Sequence, residues 1–98
     1  MADEMDDEFY DRADAHINLS NAQLENARRG IVSASMMYAA ARFNAWVSAT
    51  GFQSSGDMAN RRDQTLEYFT SEYRKMLADN LDDYIARFDE RIKPTATS

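Results

Sequence analysis

Tyr38-Ala39-Ala40-Ala41-Arg42-Phe43-Asn44-Ala45-Trp46 is rich in both alanine and aromatic residues, a combination that points to a packed helix. Alanine is the strongest helix former, and neither glycine nor proline interrupts the run. Placed at 100° per residue, Met36, Ala40, Phe43 and Val47 share one side of a helix. Ser35, Tyr38, Arg42, Trp46 and Ala49 share the other, with Met37, Asn44 and Ser48 between them. A helix that is apolar on both sides is covered on both sides. This segment, about 32 to 50, is therefore expected at the centre of a helical domain, with Ser33 as its N-cap and its end just before Gly51.

Working outward, Met5, Phe9, Ala13, His16, Ile17, Ser20, Leu24 and Ala27 recur every three or four residues, so a first amphipathic helix is expected over about 4 to 27. Carboxylates load its first turn and Arg28-Arg29 its last, complementing the helix dipole, and Gly30 follows where a C-terminal cap belongs. After the loop 51–56, Ser55 or Asp57 is the expected cap of a third helix carrying Met58, Thr65, Leu66, Phe69, Tyr73, Met76 and Leu77 on one stripe. Beyond Leu77 the apolar set Leu81, Tyr84, Ile85, Phe88 and Ile92 is rotated from that stripe. The third helix thus either runs unbroken over about 57 to 91 or breaks near Asn80, where Asn80 and Asp83 resemble a capping pair. The expected fold is all-α, a three-helix bundle forming one domain over 1–93, with 94–98 a disordered polar tail.

Composition agrees with helices and removes whole classes of function. The chain has 98 residues, three glycines and one proline, too little turn chemistry for a set of β-hairpins. No cysteine is present, which excludes disulfides, thiolate nucleophiles and sulfur-bound metals. The acidic N-terminus is unlike a secretory signal and no apolar run reaches the length of a membrane span, so a cytoplasmic protein is expected. A net charge of −6 opposes both nucleic acid and anionic membrane as partners. The pairs Arg28-Arg29 and Arg61-Arg62 are read as solvated helix ends.

Three segments carry a family likeness. At Phe9-Tyr10-Asp11-Arg12-Ala13-Asp14, at Tyr38 to Ala45, and from Glu67-Tyr68-Phe69 to Asn80-Leu81-Asp82-Asp83-Tyr84, the chain resembles a bacterial family of proteins of unknown function, numbered 3144. The likeness is collinear over about residues 8 to 88. It implies a short, soluble, helical bacterial protein and supplies no activity, cofactor or functional residue.

The candidate chemistry is sparse. His16 is the only histidine and lies on an apolar stripe, so it is expected as a hydrogen-bonded core residue; a di-iron bundle needs a second histidine and a carboxylate at position 13, which is alanine. The acidic run Asp3, Glu4, Asp6, Asp7, Glu8 lacks the spacing and glycine of a calcium loop. Asp82-Asp83 and Asp89-Glu90 are adjacent in sequence, and adjacent helical residues diverge by 100° and share no site. No phosphate cradle or nucleophile motif is present, so no enzyme activity, cofactor or metal is expected.

Two surfaces stand out. Arg42 lies one turn from both Tyr38 and Trp46, so its guanidinium either pairs with Asp11, Asp14, Glu67 or Glu72 to set helix register, or anchors a small anionic ligand between aromatic walls. An unbroken third helix would be ~50 Å long and outrun its neighbours, leaving Leu81, Tyr84, Ile85 and Phe88 as an interaction surface. The leading functional expectation is a non-enzymatic interaction module whose partner is most simply itself, as a homodimer; the alternative is anionic-ligand binding at Tyr38, Arg42 and Trp46.

Overall fold

The computed structural model describes residues 7–92 and is helical throughout, with no strand among the described residues. Five helices follow in order: α1 (Phe9–Gln23), α2 (Arg29–Ala49), α3 (Ser55–Asn60), α4 (Arg62–Ala86) and α5 (Phe88–Arg91). The all-α expectation holds. The count differs from three because the expected third helix is divided into α3, α4 and α5. The chain forms two compact units, one through Thr50 and the other from Gly51. The expected tail 94–98 and the acidic residues Asp3, Glu4 and Asp6 lie outside the described residues.

In the first unit, α1 opens with the Arg12 N–H donating to the Glu8 carbonyl at 2.9 Å. It closes through three-residue bonds, Leu24 to Asn21, Glu25 to Ala22 and Asn26 to Gln23, which tighten the last turn and satisfy its carbonyls. No left-handed residue is needed there, and this corrects the reading of Gly30 as a cap. Arg28 is extended, with φ −72° and ψ 153°, and α2 begins at Arg29, so Gly30 sits inside its first turn with no positive φ. The helix therefore starts three residues before the expected position, and Ser33 is an interior residue rather than its N-cap. It stops at Ala49, where Thr50 Oγ1 donates to the Val47 carbonyl at 2.6 Å.

Val32 on α2 is the one buried side chain among the described residues, at 6% exposure, and Ser20 Oγ on α1 lies 3.5 Å from Met36 Sδ on α2. Phe9, Ala13 and Ser20 are half-buried, at the spacing of the expected α1 stripe. His16 is exposed, a second correction. Its apolar neighbours in sequence, Ile17 among them, are themselves exposed and enclose no core around it.

The second unit starts at Ser54, extended at φ −155°, whose Oγ accepts from the Asp57 N–H at 3.1 Å. This is a side-chain N-cap, one residue earlier than expected. Arg61 (φ −106°, ψ 7°) separates α3 from α4, and Arg87 (φ −117°, ψ 27°) separates α4 from α5. Both lie near the sparsely populated bridge region. Asn80, the expected break, is deep inside α4, where its Nδ2 donates to the Met76 carbonyl at 2.8 Å. The rotation of the apolar stripe past Leu77 breaks nothing, because Leu77 and Leu81 are both exposed and no single core has to receive them. Met58, Thr65 and Phe69 are the half-buried members of the expected stripe.

The last break is bridged by charge. Asp83 Oδ1 lies 3.4 Å from Arg87 Nε and Asp83 Oδ2 lies 2.9 Å from Arg91 Nε, so one carboxylate on α4 holds both the junction and α5. The Arg91 guanidinium also lies 5.4 Å from the Tyr84 ring centroid.

Candidate interaction surface

Large apolar side chains remain open throughout the described residues, and α2 shows this most strongly. Its 21 residues contain no carboxylate; Arg29 and Arg42 are its only charges. Tyr38, Phe43 and Trp46 are 67%, 63% and 62% exposed. Ile31 and Val47 extend the same half of the helix surface and are also exposed. Phe43 and Trp46, three residues apart, bring their ring centroids to 5.8 Å at an interplanar angle of 31°. Helical spacing makes such a pair neighbours, so the two sides read from the sequence meet along one edge.

Tyr38, Arg42 and Trp46 stand one turn apart on that surface. Arg42 is exposed and forms no ion pair among the described residues. Of the carboxylates expected to meet it, Glu72 instead lies 3.0 Å from Lys75 Nζ on its own helix. Asp11 and Asp14 on α1 are exposed.

Leu81, Tyr84, Ile85 and Phe88 are all exposed, Ile85 to 73%. The first three belong to α4 and Phe88 opens α5, so this row crosses the junction that Asp83 secures.

An open cleft of about 430 Å³, which the sequence did not suggest, is lined by Gly51, Phe52, Gln53, Asp57, Asn60 and Arg61. Its polar groups come from the loop, from α3 and from the turn after it, and only the path of the chain brings them together. No spacing rule in the sequence signals such a group. Among the described residues no cluster of His, Asp and Glu is arranged to hold a metal ion, and no helix is long and apolar enough to cross a membrane.

A family model described as protein of unknown function (DUF3144) matches residues 9–85. The chain is also similar to a solved structure, the NMR structure of the protein NB7890A from Shewanella sp.. That likeness has 37% sequence identity and a TM-score of 0.76, covering 97% of this chain and 98% of the other. No curated protein matches the chain.

Proposed function

The chain belongs to the family of proteins of unknown function DUF3144, and we propose that it acts as a non-enzymatic protein–protein interaction module whose first partner is a second copy of itself. The observation that carries this reading is the burial pattern: among the described residues Val32 alone is buried, while aromatic and aliphatic side chains on α2, α4 and α5 stay open. Exposed apolar surface on this scale marks an association surface, and burying it is the main favourable term in assembly. The row Leu81, Tyr84, Ile85 and Phe88 is one such contact. A cytoplasmic setting fits a chain without cysteine.

Sedimentation velocity tests the reading. Wild type is expected to sediment as more than one copy, and Ile85→Glu or Phe88→Glu to shift the boundary toward the single chain. A wild-type monomer at several hundred micromolar, unchanged by either substitution, would remove the proposal.

A second reading has one observation in its favour: Arg42 is exposed between Tyr38 and Trp46 and has no ion-pair partner among the described residues. The site would then take a small carboxylate or phosphate compound, with Arg42 as its charge anchor. Trp46 is the only tryptophan, so its emission reports binding there. If a panel of such compounds moves neither that emission nor the melting temperature, ligand binding at this row is excluded in favour of association.

A further inference from the structure

We infer that the second copy seats on the α2 face formed by Ile31, Tyr38, Phe43, Trp46 and Val47, and that this contact supplies the core without which the chain does not hold its fold. The inference rests on the self-association proposed above and goes further, because it joins folding and assembly into one equilibrium. It also moves the centre of the interface from α4 and α5 to α2.

The charge pattern points to α2. A chain with 17 acidic and 11 basic residues places no carboxylate on its 21-residue α2. By contrast, α4 interleaves carboxylates such as Asp63, Glu67 and Asp79 with Arg62, Arg74 and Lys75, the mixture of a solvated helix. A 98-residue chain is expected to bury about 60 to 70% of the surface its unfolded form exposes, and one buried side chain among the described residues cannot represent such a core. A second copy seated on α2 supplies the apolar burial that the described residues of its own unit do not.

The size of the face fits a second copy. From their exposures, the five apolar side chains present roughly 600 Å², against the ~800 Å² that each partner gives to an interface of standard size. The Phe43 and Trp46 rings already rest against one another, so less side-chain freedom is lost when they are covered. Arg42 lies within the face, and an interface that excludes water requires a carboxylate opposite it. The acidic surplus of this same chain supplies candidates, with Asp11 and Asp14 exposed on α1.

The test is thermal unfolding of the full chain, followed by far-UV circular dichroism over a hundredfold range of protein concentration. Sedimentation of wild type, Phe43→Glu and Ile85→Glu accompanies it. Coupled folding and assembly predicts a melting temperature that rises by roughly 5 to 10 °C over that range. It also predicts that Phe43→Glu dissociates the assembly with loss of helical signal, while Ile85→Glu has the smaller effect. An assembled wild type whose melting temperature ignores concentration would overturn the inference and leave self-association standing. So would an assembly broken by Ile85→Glu and untouched by Phe43→Glu. A wild-type monomer that melts identically at every concentration would overturn both.

Discussion

The ring centroids of Phe43 and Trp46 lie 5.8 Å apart, with the planes tilted by 31°, and both rings are open to solvent. A ring pair of this kind contributes about 0.5 to 1.5 kcal/mol beyond the area it buries, and it gains most when water is excluded from it. Since Trp46 is the only tryptophan, its environment can be followed without labels. Raising the protein concentration from the nanomolar to the high micromolar range is predicted to shift its emission to the blue and to reduce quenching by acrylamide. Quenching that is the same at every concentration would place Trp46 outside any self-contact.

Gly30 provides a sharp test of where α2 begins. It lies in the first turn, with no positive φ, and a Cβ added there meets nothing within 4 Å. Gly30→Ala is therefore predicted to stabilise the protein by about 0.4 to 1 kcal/mol, through lower entropy of the unfolded chain and better helix propensity. Were Gly30 a left-handed cap closing α1, the same substitution would destabilise. Urea denaturation at fixed protein concentration distinguishes the two signs.

Two serines are predicted to behave oppositely. Ser54→Ala removes the oxygen that accepts from the Asp57 N–H and should cost about 0.5 to 2 kcal/mol. Ser33 is an interior residue of α2, and Ser33→Ala should be neutral or stabilising by a few tenths of a kcal/mol. Melting temperatures of the two variants, compared at one concentration, check the pair.

Asp83→Asn removes the charge that meets both Arg87 and Arg91. All three side chains are partly solvated, so the global cost is predicted at about 0 to 1 kcal/mol and should shrink further in high salt. The local effect is larger. The N–H groups of Glu90, Arg91 and Ile92 bond back to Arg87 and Phe88, and they should exchange with solvent faster in the variant while mid-α4 amides are unchanged. Unchanged exchange at those three amides would show that the carboxylate does not hold α5.

The helical class was legible because alanine content, 3.6-residue periodicity and scarce turn residues all point the same way. The joints were not. Arg61 and Arg87 divide the expected third helix without a glycine, a proline or a capping side chain, so no residue type announces them. Asn80 and Gly30 do carry the usual boundary chemistry, yet both lie within helices, where Asn80 turns its amide back to Met76. The expected core location of His16 assumed that an apolar stripe is buried within its own chain. On α2 helical spacing alone puts Phe43 and Trp46 on different sides, and only the ring contact joins them as one surface.

The most direct measurement is sedimentation equilibrium of the unmodified chain from low to several hundred micromolar. Self-association through α2 predicts a weight-average mass that approaches at least twice the 11.2 kDa of one chain, falling toward it on dilution. A mass of 11.2 kDa at every concentration, from a chain that remains helical, would contradict it.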